Sequence, residues 1–125
     1  AARGEGDSAV GATKLAEVQL QDDSYPPFAR QAAEFKTGAL FAVATTRQAT
    51  APTEQWNDCE LEVIGPTLRV TINGVLVNSL RLDELAAADR IPALRRASGR
   101  IGFQGWLGNC RFRNIRLKEL DSADK

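Results

Sequence analysis

The sequence predicts an all-β, antiparallel sandwich with one short helical insertion. Two observations carry that expectation. About six short stretches either alternate apolar and polar residues or run apolar between Gly, Pro, Asn and Asp breaks. One of those breaks, Asn73-Gly74, separates two β-branched runs, the strongest short-range hairpin signal a sequence carries.

Residues 1–14 are rich in Gly, Ala, Ser and charge and are expected to be a loop or a frayed end. From Leu15 to Gln21 the pattern alternates. Ala16, Val18 and Leu20 are expected on a core face, with Glu17, Gln19 and Gln21 on a polar one. Asp22 to Phe28, with Asp-Asp-Ser and Pro26-Pro27, is expected to be a turn and loop. Thr37 to Thr45 is nearly all apolar or small, which predicts a strand covered on both faces.

Trp56 to Ile64 alternates again, Cys59, Leu61 and Val63 opposing Glu60 and Glu62, until Gly65-Pro66 breaks it. Leu68, Val70 and Ile72 alternate with Thr67, Arg69 and Thr71 up to Asn73-Gly74, after which Val75, Leu76 and Val77 resume. A two-residue type I′ turn suits Asn-Gly, because both central positions need positive φ. Asp83 is expected to cap a short helix through Ala88, and Pro92 to open or break a turn. Ile101 and Phe103 begin a further strand. Cys110 to Leu120 is expected to be the last, with Phe112, Ile115 and Leu117 inward and Arg111, Arg113, Arg116 and Lys118 outward. Its parity shifts between Phe112 and Ile115, which predicts a bulge near Asn114. No internal repeat is present. The expected division is a frayed 1–14, a β domain over 15–120 and a tail over 121–125.

Composition narrows function. The chain's 125 residues fit one domain at most, and 43% hydrophobic residues suffice for a core. Lys plus Arg equals Asp plus Glu at 16 each, so no net field draws nucleic acid or anionic lipid. No apolar run approaches the roughly 20 residues of a membrane span. Ala1 to Asp7 is unlike a signal peptide, and a start without Met is expected to be a cut one. There is no His, so acid–base chemistry falls to Asp, Glu, Lys, Tyr or Cys. Cys59 and Cys110 are too few for a disulfide scaffold or a zinc site. They could cross-link only with Cα atoms within about 7 Å, and free buried thiols are the expected state.

Six segments, in order, resemble the later part of the 3-keto-disaccharide hydrolase family, long catalogued as a domain of unknown function. Glu17-Val18-Gln19-Leu20-Gln21-Asp22 resembles its Glu-x-Gln-Ile-x-Asp strand, and Thr37-Gly38-Ala39-Leu40-Phe41 its Thr-Gly-Ala-Leu-Tyr strand. Glu54-Gln55-Trp56-Asn57 is similar to its Gly-Glu-Trp-Asn, one residue out of step at the acid, and Ile72-Asn73-Gly74 to its Leu-Asn-Gly hairpin. Gly99-Arg100-Ile101-Gly102-Phe103-Gln104 resembles Gly-x-Ile-Gly-Leu-Gln. Phe112 to Leu120 resembles the closing Phe-Arg-Asn-Ile-x-Ile-Lys-Glu-Leu. The resemblance implies a concanavalin-like two-sheet jelly roll with a concave sugar-binding face, of which this chain supplies the later strands. Two departures stand out. The family carries strands ahead of this segment, ending in Asn-Ser-Gly-x-x-x-Arg, of which Arg3 is the last trace. Gly105-Trp106 also stands where the family often has His.

The resemblance implies a carbohydrate ligand and cleavage of glycosides oxidised at sugar carbon 3. The ketone acidifies the carbon 2 proton, a base removes it, the glycosidic oxygen leaves carbon 1, and water adds back. Glu17 is the first base candidate and Asp22 the second. Gln19, Gln21 and Gln104 are expected to donate to the sugar or enolate, amides offering both donors and acceptors. Along one strand face such groups recur about every 7 Å. The same row can also be the solvated face of an ordinary strand. Trp106, in a Gly-flanked loop, is a candidate for stacking on a sugar ring, and Trp56 is read first as a structural anchor. Asn73 is read as turn chemistry only. Asp7 with Asp22 and Asp23 is weighed as a Ca²⁺ site and set aside, since its spacing is not that of a known calcium loop; no metal is assigned, and no cofactor is identified. The basic stripe Arg111 to Lys118 is read as edge-strand protection. Family members are often exported, which favours the periplasm or secretion. A binding jelly roll without catalysis, or a fragment inactive by itself, is the alternative. The isolated segment is expected to dimerise through an exposed sheet edge or to be poorly stable, and not to turn over a 3-keto-glycoside.

Overall fold

The computed structural model describes residues 15–43, 47, 49, 51–88, 91–96, 98–106 and 108–120. Its centre is a three-stranded antiparallel meander: β1 (Cys59–Ile64), β2 (Thr67–Ile72) and β3 (Val75–Arg81), in that spatial order. Both connections are two-residue turns, Ile64 pairing with Thr67 and Ile72 with Val75. At the second, Asn73 (φ 49°) and Gly74 (φ 78°) both take the left-handed conformation, the type I′ turn the sequence predicts. At the first, Gly65 alone has positive φ (53°) and Pro66 keeps the negative φ its ring imposes, the pattern of a type II′ turn.

Leu68, Val70 and Ile72 on β2 are buried, and Thr67, Arg69 and Thr71 face away, as the alternation requires. They form the core with Leu40, Val77 and Ile91, and Val18, Leu80, Leu82, Leu85 and Leu94 pack around it. A bulge between Val70 and Thr71 shifts the β2–β3 register, so that Val77 and the adjacent Asn78 are both buried. Asn78 is satisfied there by donating from Nδ2 to the Gly38 carbonyl (3.3 Å), tying the meander to an earlier segment.

That earlier segment is a short antiparallel ladder. The Gln19 N–H donates to Ala39 O (3.0 Å), Gly38 N–H to Gln19 O (2.8 Å) and Phe41 N–H to Glu17 O (2.9 Å), around a single Val18–Leu40 bridge. The expected full strands over 15–21 and 37–45 are therefore shorter. Ala42 takes φ 58° and Val43 N–H turns back to Leu40 O, which ends the ladder; residues 44–46 lie outside the described residues. Thr37, Ala39 and Leu40 are buried as expected. Val18 packs on the core, but Leu20 is 42% exposed, because the ladder does not extend over it.

Between the two halves of the ladder lie a single helical turn, α1 (Pro26–Ala29), and a 3₁₀ turn at Ala33–Phe35. After β3 comes α2 (Leu82–Ala87), whose Leu82 and Leu85 pack on the core, then a 3₁₀ turn Pro92–Arg95 opened by Pro92. Asp83 does not cap α2. It lies inside the first turn, where its carboxylate takes two hydrogen bonds from Arg81 (3.0 and 2.6 Å) and the N–H of the next residue, Glu84 (3.0 Å), rather than capping from the residue before the helix.

The expected strands at Ile101–Phe103 and Cys110–Leu120 are not formed. Residues 98–106 and 108–119 are exposed and have no ladder partners among the described residues, and a strand exists only against a neighbour that takes its N–H and C=O groups. Phe103 and Phe112 meet at 4.3 Å between ring centroids. Asn114 takes φ 53° where the parity changes, but it has no ladder in which to be a bulge. Cys59 and Cys110 are free, as expected, yet exposed rather than buried. Residues 1–14 and 121–125, including Arg3 and Asp7, lie outside the described residues.

Candidate functional site

The ladder strand 17–21 presents the densest polar arrangement. Gln19 Nε2 donates to Gln21 Oε1 (2.6 Å), so both amides lie on one side of the strand as their parity requires. Gln21 Nε2 donates onward to Asp23 Oδ1 (2.9 Å) and Gln31 Oε1 (3.0 Å). Asp23 in turn accepts the Thr37 N–H on both oxygens (3.2 and 3.1 Å). Thr37 Oγ1 closes the end of the ladder, accepting from Gln21 N–H (3.1 Å) and donating to Gln21 O (2.9 Å). Lys36 pins the loop beneath by donating to the carbonyls of Phe28 (2.6 Å) and Ala29 (3.0 Å), the open end of the α1 turn. Glu17 shares the parity of Gln19 and Gln21 and is half-buried.

Asp22 is turned into its own loop. Its Oδ1 accepts Ser24 N–H (2.9 Å) and Ser24 Oγ (2.6 Å). These hydrogen bonds, that of the Ser24 hydroxyl above all, hold its carboxyl below the usual range, which makes it a weaker base than a free aspartate. The acid that joins the Gln row is instead Asp23, which the sequence brings up only as a calcium ligand. Its odd parity with residues 17, 19 and 21 was the available signal. Gln31 and Thr37 carried none, since they reach the row only through the fold.

Gln104 and Trp106 lie on the exposed segment 98–106, Trp106 at 80% exposure. Among the described residues no hydrogen bond joins either to the Gln row. Trp56 is half-exposed, with the Arg113 guanidinium 3.8 Å above its ring, so that face is covered.

A second polar cluster fixes the loop that carries Trp56. Asn73 Nδ2 donates to Asn57 Oδ1 (2.8 Å), and Asn73 Oδ1 accepts the Asp58 N–H (2.8 Å). Asn57 Nδ2 then donates to Pro52 O (2.9 Å) and Gln55 O (3.2 Å). Asn73 is thus more than a turn residue: it joins the β2–β3 hairpin to the approach of β1. Among the described residues no group of three His, Cys, Asp or Glu is placed to hold a metal ion, and no helix is long and apolar enough to cross a membrane.

Residues 2–118 match the family of the 3-keto-α-glucoside-1,2-lyase-like domain. The chain belongs to this family. The 3-keto-α-glucoside-1,2-lyase-like match spans both polar clusters, and it makes the chain a member of a carbohydrate-active family. The structure is similar to that of a candidate glycosyl hydrolase from Parabacteroides distasonis, with a TM-score of 0.56 and 20% identity, over 63% of this chain and 41% of that one. The chain therefore spans less than half the length of that structure, and the likeness is one of fold: antiparallel and mostly β, with few helices. Among curated proteins none matches significantly.

Proposed function

We propose that this chain is the later part of a two-sheet, concanavalin-like jelly roll that binds and cleaves 3-keto-glycosides, its working segment being 15–120. The observation that carries the reading is the run of hydrogen bonds from Gln19 to Gln21 (2.6 Å) and on to Asp23 in the following turn (2.9 Å), with Glu17 at the same parity as the two amides. A carboxylate at one end of such a row can take the proton next to a ketone, and amides can hold the neighbouring hydroxyls and the enolate oxygen. Electron flow is then complete. The C–H pair becomes the enolate, the enolate expels the glycosidic oxygen, which leaves with the proton the base has taken, and water adds across the resulting C1=C2 bond, its hydroxyl to carbon 1 and its proton to carbon 2. Glu17 is the base of choice over Asp22, whose carboxylate is already engaged by Ser24 and weakened as a base. Gln104 and Trp106 would complete the sugar contacts from the exposed 98–106 segment. The reading carries with it an exported protein.

A binding jelly roll without turnover is favoured by one observation. Gln19 and Gln21 already satisfy each other and Asp23, an arrangement suited to holding a ligand. Titrating the chain with 3-keto-trehalose while following the side-chain amide resonances of Gln19 and Gln21 tests the site. They are expected to move, and Gln19→Ala to abolish binding. Unmoved amides overturn the site. Hexose release is expected only from a fusion that adds the family's earlier strands ahead of Ala1, and Glu17→Gln is expected to stop it while binding persists. Release that survives Glu17→Gln removes Glu17 as the base.

A further inference from the structure

The amides beside the ladder point in a definite direction, and Asp23 sets it. A carboxylate only accepts hydrogen bonds, whereas an amide can turn either its oxygen or its nitrogen to a neighbour. Both oxygens of Asp23 are held on the Thr37 N–H (3.2 and 3.1 Å). Thr37 is itself buried, and its hydroxyl is tied to the Gln21 N–H and C=O. The group of Gln21 that faces Asp23 must therefore be its NH₂, which donates at 2.9 Å. The second proton of that NH₂ goes to Gln31 Oε1 at 3.0 Å. Gln21 Oε1 is thereby left to face Gln19, and Gln19 turns its own NH₂ to it at 2.6 Å.

The two amides are not equivalent as a result. The Gln21 side chain has no proton left to give. Gln19, half-buried, keeps one Nε2 proton and its Oε1 without a partner among the described residues. A donor and an acceptor side by side on one amide suit a sugar hydroxyl, which both gives and takes a hydrogen bond. We infer, given that this row is the sugar site, that Gln19 alone supplies the amide contact to the ligand and that Asp23 is its positioning residue, acting through Gln21. With an amide at position 23 the direction is no longer forced. In Asp23→Asn the new NH₂ can face Gln21 Oε1, the Gln21 NH₂ then faces Gln19 Oε1, and Gln19 turns its NH₂ outward in place of its oxygen.

Gln31 separates this role from a structural one. Asp23 also closes its loop by accepting the Thr37 N–H, and Asp23→Asn retains an oxygen for that bond. Gln31→Glu sets a second group that only accepts on the other Gln21 proton, 3.0 Å away. It restores the original direction when Asp23 cannot impose it, and it does nothing for the bond to Thr37.

NMR couplings across the hydrogen bonds of the whole chain, without ligand, read the direction, with far-UV circular dichroism to establish that each variant is folded. Coupling of Gln19 Nε2 to Gln21 Cδ, and of Gln21 Nε2 to Asp23 Cγ, is expected in the parent. The first is expected to vanish in Asp23→Asn, with the β2 resonances unmoved, and to return when Gln31→Glu is added. Binding of 3-keto-trehalose is expected to weaken roughly tenfold in Asp23→Asn, the effect of one mismatched hydrogen bond, and to recover to within about threefold in the double variant. Gln21→Met, which cuts the relay and leaves Asp23 on Thr37, is expected to weaken binding as much as Asp23→Asn. Couplings that run from Gln21 to Gln19 in the parent overturn the inference. So does Asp23→Asn or Gln21→Met binding as tightly as the parent, or a double variant no tighter than Asp23→Asn. A parent that does not bind 3-keto-trehalose refutes the sugar site instead, and the couplings alone then decide whether Asp23 directs the amides.

Discussion

Asn73 offers the sharpest test of how the structure is held, because its two duties can be separated by substitution. Its backbone needs positive φ for the turn. Its side chain bonds Asn57 and the Asp58 N–H, both at 2.8 Å. Asn73→Gly keeps the turn and removes both hydrogen bonds. These are exposed, so each is worth the lower part of the usual 0.5–1.5 kcal/mol, and the loss is expected to be about 1–2 kcal/mol. Asn73→Ala loses the same bonds and adds about 1 kcal/mol because alanine lacks the short polar side chain that lets asparagine tolerate the left-handed region, about 2–3 kcal/mol in all. Urea unfolding measures both, with the m-value checked for constancy. Trp56 fluorescence supplies a local reading, since Asn57 and its two carbonyl partners form the loop that carries the indole. Both variants are expected to shift the emission. If Asn73→Gly unfolds with the parent and leaves the emission unchanged, Asn73 is a turn residue and no more.

Val70→Ala, at a fully buried position, is expected to cost about 2–3 kcal/mol in the same assay, whereas Val63→Ala at 54% exposure costs well under half of that. Ser24→Ala is expected to raise the titration midpoint of the Asp22 carboxyl in a carbon-detected NMR titration. The Asp22 contribution to stability is present above its unfolded value and is lost as pH falls through the lowered folded value, so the variant should lose its share at a higher pH than the parent. Cys59, whose thiol is pushed up by desolvation although the residue as a whole is exposed, is expected to alkylate more slowly than free cysteine at the same pH, read by mass spectrometry of the modified peptides.

What could be read from residues alone follows the range of the interactions. The meander was legible because everything it needs is local: period-two alternation through Leu68, Val70 and Ile72, and turn residues whose φ requirements only Asn-Gly and Gly-Pro meet cheaply. The Gln row was legible in parity but not in content. Alternation puts residues 17, 19 and 21 on one side, but only the fold brings Gln31 and Thr37 to them, and only local competition decides that Ser24 claims Asp22. The C-terminal strands were over-read. Phe112 to Leu120 has strand composition, yet alternation reports a preference, and a ladder also needs a neighbour at the right distance. Asp83 is not the cap because the helix starts one residue earlier, at Leu82, which puts Asp83 inside the first turn with Arg81 and the Glu84 N–H as its partners.

The single amide of Asn78 reaching the Gly38 carbonyl has a kinetic consequence. The meander is joined by two-residue turns and closes loops of the smallest possible size, so it can form on the microsecond scale of hairpins. The ladder bearing Glu17, Gln19 and Gln21 closes over a separation of 16 residues, and it docks on the meander across one of 40. Each closure must be met by contacts not yet made, so the polar row assembles on a sheet that already exists. In the native state the order reverses. The ladder is expected to open before the meander, with amide exchange at Gln19 and Gly38 ahead of exchange in β2. The residues proposed to meet the ligand thus occupy a part of the fold less cooperative than the meander, where ligand binding has ordering to do.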